Sequence, residues 1–344
     1  MTAEGLLSLK PRHVVALHIS FHSIYLRRAS KLRDRTDVAM SILAGTFFSD
    51  RGSMEGKLAV VTGAASGIGL EFSRRCLLSF GMHVVMADVD EVALEREVER
   101  VNGSSRRGTD GWAIAVPTDV RVRADFVQLL EVAQRTSPSG CVDVCLLNAG
   151  VLGAGVHVLK GNEADWRWVL DVNLFGVLHG LQVFTPAIAR QTRPGLIAVT
   201  ASDRGLDIGG SPGCTASYAT SKHGVIGMCE SLEGELTAKK LGGQIQLSVM
   251  CPGLVASSLW DAARAEEQRS GSEKRNITAK ERQRQFMENL GTSVSDTIDT
   301  FIEGVARGQF ICEAVRGQAQ ESFGRRAEYI LGGTMPSAQR MSML

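Results

Sequence analysis

Tyr218 and Lys222 stand four residues apart in "SYATSK", a spacing that puts both side chains on one face of a helix. A phenol is a poor general base near neutrality, because its ordinary pKa is about 10. An ammonium beside it favours the phenolate, so the pair can take a proton from an alcohol or return one to a forming alkoxide. Read alone, the same six residues also describe the start of a surface helix with a solvated lysine. Val225, Cys229, Leu232 and Leu236 continue the face, which is therefore expected to pack inward and carry the pair with it. A serine hydroxyl would complete such a site by holding a carbonyl oxygen and sharing the charge that develops on it. Ser202, in "VTASDRG", is the candidate because it falls at the end of an apolar run. Ser211, Ser217 and Ser221 compete, but the last two flank the tyrosine and point away from its face.

These groups need a scaffold that brings chain-distant residues to one cleft. The runs "LAVVT" (58–62), "HVVMAD" (83–88), "WAIAV" (112–116), "VDVCLLN" (142–148), "LIAVTAS" (196–202) and "QIQLSVM" (244–250) are short and rich in β-branched residues. That is how strands buried on both faces read. Between them lie stretches of crossover-helix length at 67–80, 90–102, 122–136 and 164–190. Strand–helix alternation predicts an α/β fold with a doubly wound parallel sheet and helices on both faces.

The first strand runs into "TGAASGIG", Thr62 to Gly69. Gly63, Gly67 and Gly69 sit where a strand must turn sharply and a helix must start against a ligand. Backbone N–H groups at that helix start can receive a pyrophosphate. Asp88, nineteen residues after Gly69 and at the end of the second strand, is placed to accept hydrogen bonds from adenosine ribose hydroxyls and to repel a 2′-phosphate. No cation in the turn or just after Asp88 would hold that phosphate, which predicts NAD rather than NADP. A strand-end Asp capping the next helix is the plainer alternative. Asp119 after the third strand and "NAG" (Asn148–Gly150) after the fourth also fall at strand C-termini, where open α/β sheets bind ligands, or they are turn chemistry.

The rest of the composition narrows the field. A formal net charge of +1 over 344 residues gives no reason to expect nucleic acid or an anionic membrane as a partner. Seven cysteines without a C-x-x-C pair exclude an evident disulfide framework or zinc site and read as free thiols in a reducing, cytoplasmic setting. No uninterrupted apolar run reaches the roughly 18–20 residues of a membrane span. Residues 1–53 carry seven Arg and Lys between Arg12 and Arg51 and few acids, consistent with an irregular extension, an upstream start before "MEGKLAVVTG", or an organelle transit segment. The catalytic domain is expected over 54–315, with a tail at 316–344. The final Ser342-Met343-Leu344 lacks the basic middle residue of a peroxisomal address.

As a set and in order over roughly 54–260, these motifs resemble the classical short-chain dehydrogenases/reductases. They are T-G-x-x-x-G-x-G (62–69), N-A-G (148–150), Asn173 in "DVNLFG", Ser202, Y-x-x-x-K (218–222) and P-G (252–253). The resemblance implies a single Rossmann-type sheet of about seven strands. It implies Tyr218 as general acid/base, Lys222 holding the nicotinamide ribose, Ser202 positioning the substrate oxygen and Asn173 supporting a water chain past Lys222. Gly63, Ser66, Gly67, Ile68, Gly69, Asp88, Asp119, Val120, Asn148, Val255 and Ser257 would line the dinucleotide, together with Tyr218 and Lys222. It also implies a homodimer or homotetramer built on the helices at 164–190 and 215–238. The segment between Ser202 and Tyr218 is longer than the usual family spacing, with Gly209, Gly210, Pro212 and Gly213 forming a loop.

The expected activity is hydride transfer between NAD(H) and a small-molecule secondary alcohol or ketone, with no metal. Two rivals are an NADPH-dependent carbonyl reductase and a non-catalytic nucleotide-binding scaffold. A charged lid is expected over about 257–290, with Trp260 either walling the pocket or packing a helix.

Overall fold

The computed structural model describes residues 46–104, 111–153, 158–159, 161–207, 216–257, 259, 291–313 and 317–332. Ser211, Trp260, the glycine-rich loop at 209–213 and nearly all of the expected lid lie outside them.

Each apolar run becomes a strand of one seven-stranded parallel sheet in the order β3-β2-β1-β4-β5-β6-β7. The strands are β1 (Leu58–Thr62), β2 (His83–Asp88), β3 (Ala113–Pro117), β4 (Val144–Leu147), β5 (Gly195–Thr200), β6 (Ile245–Cys251) and β7 (Ile311–Glu313). In β1, Leu58 and Val60 enter the core on one face while Ala59 and Val61 enter the core on the other. The period-two alternation thus buries both faces, and an uninterrupted apolar run is the result.

The helices divide between the two faces. On one lie α3 (Arg123–Thr136), α5 (Gly176–Arg190) and α6 (Ala216–Ala238), contributing Phe126, Phe184, Val225 and Leu236. On the other lie α1 (Gly67–Arg74), α2 (Glu91–Ser104) and α7 (Val294–Ala306), contributing Phe72, Leu94 and Phe301. The helix expected at 164–190 is α4 (Glu163–Leu170) running into α5 through a π turn at Asp171–Phe175. Among the described residues, Glu163–Arg190 is the one stretch long and apolar enough to cross a membrane, but Val177, Leu181, Phe184 and Ile188 on it are buried against the sheet.

Packing extends past the anticipated ends of the domain. Phe47 and Phe48 are buried, and Phe48 stacks edge-on against Phe72 and Phe80 with centroids 5.8 and 4.9 Å away. After β7 the chain forms α8 (Gln318–Gly332), a helix within the stretch read from sequence as a tail. All six described cysteines are buried and outside any disulfide.

The strand order reverses between β1 and β4, because β2 and β3 lie to one side of β1 and β4 to β7 to the other. Loops leaving the C-terminal ends of β1 and β4 therefore diverge to opposite faces and open a crevice. The described candidate site residues lie on that edge of the sheet, in the loops leaving it or on the helices that follow.

Candidate active site

The turn after β1 is shaped by backbone contacts that only glycine permits. Gly63 has φ +66°, and a Cβ there would lie 2.8 Å from Ala149 Cα. A Cβ at Gly69 would meet Gly63 O at 2.2 Å. Side chains at either place would push the start of α1 away from the strand ends. Ser66 caps α1 without a side-chain hydrogen bond, and no acid stands in the first helical turn. The amides of Gly67, Ile68 and Gly69 at this helix start are thus available to an anion, which is what a pyrophosphate requires.

Asp88 ends β2 beside this turn. Its Oδ2 accepts from Ala65 N–H at 3.0 Å and its Oδ1 from Asp90 N–H at 3.1 Å. The carboxylate is thereby fixed at the rim of the crevice. The helix cap anticipated as its alternative role belongs instead to Asp90, which accepts from Ala93 N–H.

Asp119, just past β3, is engaged by its own loop. Arg121 pairs with it at 2.6 Å and holds its carboxyl below the usual range, mainly through the side-chain hydrogen bond. The carbonyl of neighbouring Val120 is bonded to His179 Nδ1 at 3.1 Å. Asn148 bridges three strand ends. Its Nδ2 donates to Thr62 O, its N–H donates to Thr62 Oγ1, and its Oδ1 accepts from Thr200 Oγ1. Across the crevice, Val255 forms a single parallel bridge with Thr292, and Ser257 N–H donates to Val255 O at 2.8 Å.

The proton-transfer candidates converge on α6. Tyr218 is 9% exposed and Lys222 3%, so the helix does turn this face inward. Lys222 Nζ lies 5.7 Å from the Tyr218 ring centroid and donates to Thr200 O, at the end of β5, at 2.8 Å. Burial lowers its pKa to about 8. A Cβ on Gly150 would come within 3.6 Å of Lys222 Nζ and 3.4 Å of Asn173 Oδ1, so the N-A-G turn, the π turn and α6 meet at one point.

Asn173 is fully buried in that π turn, a distortion often found at functional positions. Its Oδ1 accepts from Val151 N–H, and its Nδ2 donates to Val151 O and Ser221 Oγ. Ser221 Oγ in turn donates to Tyr218 O. Ser221 is thus a strut between Asn173 and α6, and Ser217 is wholly buried beside Gly153.

Ser202 lies just beyond β5, where its hydroxyl accepts from Arg204 N–H and caps a short 3₁₀ turn, Asp203–Gly205. That turn rests directly on α6, since a Cβ at Gly205 would strike Lys222 O at 2.6 Å. Ser202 Oγ donates to Asp203 Oδ1 at 2.9 Å. The sequence motif named Ser202 but gave no reason to single out Asp203, although the "SDR" triplet places a carboxylate next to the hydroxyl. A second unanticipated contact comes from α8. Arg325 grips the buried carboxylate of Asp207 at 2.8 and 3.3 Å, and Arg326 meets His223 of α6.

The fold and this crevice define a dinucleotide-binding α/β oxidoreductase. The family model described as "short chain dehydrogenase" matches residues 57–268, more than half of the chain, and the chain belongs to that family. It is 35% identical over 198 residues to 1-deoxy-11-beta-hydroxypentalenate dehydrogenase of Streptomyces avermitilis, covering 57% of this chain and 68% of that protein. It is 30% identical over 207 residues to the 3-oxoacyl-(acyl-carrier-protein) reductase FabG of Thermotoga maritima, covering 60% and 77%. A solved short-chain dehydrogenase/reductase from Burkholderia phymatum, in complex with NAD, superposes with a TM-score of 0.71 at 33% identity, covering 83% of this chain and 97% of that one. The family's chemistry, oxidation of CH–OH groups or reduction of ketones with a nicotinamide dinucleotide, is therefore this chain's chemistry.

Proposed function

We propose that the protein transfers hydride between NAD(H) and a secondary alcohol or ketone, with Tyr218 as the general acid/base. The observation that carries this reading is the buried Lys222 ammonium, held against the end of β5 on the face of α6 that bears Tyr218.

The residues fit a bound dinucleotide. The Gly63–Gly69 contact leaves a cradle that Cβ atoms would fill, and the start of α1 offers uncapped amides. When bound, NAD(H) supplies the hydride acceptor or donor. Asp88 takes the ribose hydroxyls with the lone pairs its two backbone partners leave free. Beside it, Val89, Asp90 and Glu91 offer no cation to a 2′-phosphate, which favours NAD over NADP. The NAD carried by the 33% identical Burkholderia phymatum protein supports the same choice.

At the chemical end, Ser202 holds the substrate oxygen and Tyr218 removes or returns its proton. The Lys222 charge stabilises phenolate character at Tyr218. The Asn173 side chain is committed to Val151 and Ser221, so it fixes the π turn and α6.

The test is a nicotinamide-absorbance assay with NAD(H) and NADP(H) against aliphatic, alicyclic, aromatic and steroid-like alcohols and ketones. Turnover with NAD(H) supports the reading. Equal or better use of NADPH would overturn the role given to Asp88. Nucleotide binding with no turnover of any of these compounds would support the scaffold alternative.

A further inference from the structure

Ser202 has one hydroxyl proton to give, and in this structure the neighbouring Asp203 carboxylate takes it. The donor distance to Asp203 Oδ1 is 2.9 Å, against 3.3 Å to Pro252 O. Asp203 is itself anchored, because its N–H donates to Pro252 O at 2.9 Å and its turn is pinned to α6 at Gly205. A hydroxyl cannot donate to a carboxylate and to a substrate carbonyl at the same moment. A ketone oxygen, having lone pairs only, needs that proton, whereas an alcohol brings its own.

We propose that Asp203 is a positioning residue that sets which way the Ser202 hydroxyl points, and so discriminates between ketone and alcohol in the substrate site. Ionised Asp203 holds the Ser202 proton and leaves an oxygen lone pair facing the substrate, an arrangement suited to an alcohol. Protonated Asp203 donates to Ser202 Oγ instead, and the Ser202 proton turns to the ketone oxygen. The inference rests on the role given to Ser202 above.

The surroundings put this ionisation within reach. Burial raises the Asp203 pKa, opposed by the Arg204 guanidinium and the Ser202 hydrogen bond and assisted by the Asp207 carboxylate. From the neighbouring elements, α8 presents Arg325 and Arg326, β6 the Cys251 thiol, and α6 Lys222 on the Thr200 carbonyl and His223 on the Asp207 carbonyl.

Two measurements test it. The first is the pH dependence of KM and kcat for the fastest ketone of the panel above, in wild type, Asp203→Asn and Ser202→Ala. The ketone KM of the wild type should rise roughly three- to tenfold through the Asp203 ionisation, about the worth of one neutral hydrogen bond, while kcat moves less. Asp203→Asn, whose amide donates to Ser202 Oγ at every pH, should keep the low KM throughout. The second needs no substrate. With isotope-labelled aspartate carboxyls, the Asp203 resonance, assigned by its loss in Asp203→Asn, should titrate at a higher midpoint in Ser202→Ala than in wild type, because the bond favouring the carboxylate is gone. An unchanged midpoint, or an Asp203→Asn ketone KM that tracks wild type, overturns the inference while a slow Ser202→Ala keeps the reading of Ser202. Full turnover by Ser202→Ala overturns both.

Discussion

Lys222 illustrates how one residue carries both a cost and a function. Its ammonium is almost wholly enclosed, with Thr200 O as its hydrogen-bond acceptor, and burial brings its pKa from 10.5 down to about 8. The unfolded chain keeps that proton up to about 10.5. Between these values the unfolded state binds more protons than the folded one, so this group makes stability rise with pH across that window. Below about 8 the charge is buried in the folded protein and its desolvation opposes folding. Urea unfolding of the protein without nucleotide should therefore show a wild-type midpoint that climbs relative to Lys222→Met from about pH 8 to 10.5. Parallel curves would contradict the burial of a charged Lys222. The Tyr218/Lys222 pairing was legible because an i, i+4 spacing fixes a shared helix face whatever the tertiary context. The bond from Ser202 to Asp203 was not, because it depends on the 3₁₀ turn that follows β5 rather than on any periodicity.

At the scale of elements, the glycine turn and α1 act as one piece. Gly69→Ala places a methyl group within 2.2 Å of Gly63 O, which must separate β1 from the start of α1. The expected result is at least a tenfold loss of NAD affinity by calorimetry together with a lowered melting temperature, at a cost of about 1–3 kcal/mol for an overpacked site. Wild-type affinity in this variant would show that the close approach is not what forms the nucleotide cradle. Strand and helix positions were readable here because buried parallel strands are apolar runs and crossover helices have a minimum length. Ends were less readable. The apolar run extends the fifth strand to Ser202, yet β5 stops at Thr200 because the Ser202 hydroxyl caps the next turn. Helix α8 gives little sign of itself in the sequence because charge and not an apolar stripe holds it. Its anchor is the Arg325–Asp207 ion pair, 118 residues apart in the chain.

For the molecule as a whole, the reversal of strand order between β1 and β4 decides where function sits. Residues far apart in the chain reach one crevice because the strands are parallel and end on the same edge. A ligand bound there by the folded state alone raises stability by mass action, about 2.7 kcal/mol at a hundred times its Kd. Thermal melting should therefore shift upward by several degrees with NAD and much less with equal NADP, given the carboxylate at Asp88. A larger shift with NADP would reverse the cofactor assignment. The parallel sheet and its crevice were legible from strand–helix alternation. The burial of Phe47 and Phe48 was not, since two aromatic residues carry no period by which to join them to the sheet, whose first strand begins at Leu58.

The proposed reaction turns on movement of the substrate proton by Tyr218. It is tested most directly by comparing Tyr218→Phe with wild type, on the best alcohol of the panel, for both turnover and NAD affinity. The expected result is a loss in kcat of about 10²–10⁴-fold, the scale of a positioned acid/base group, with NAD affinity preserved within a few-fold. Unchanged kcat in a variant that still binds NAD would contradict it.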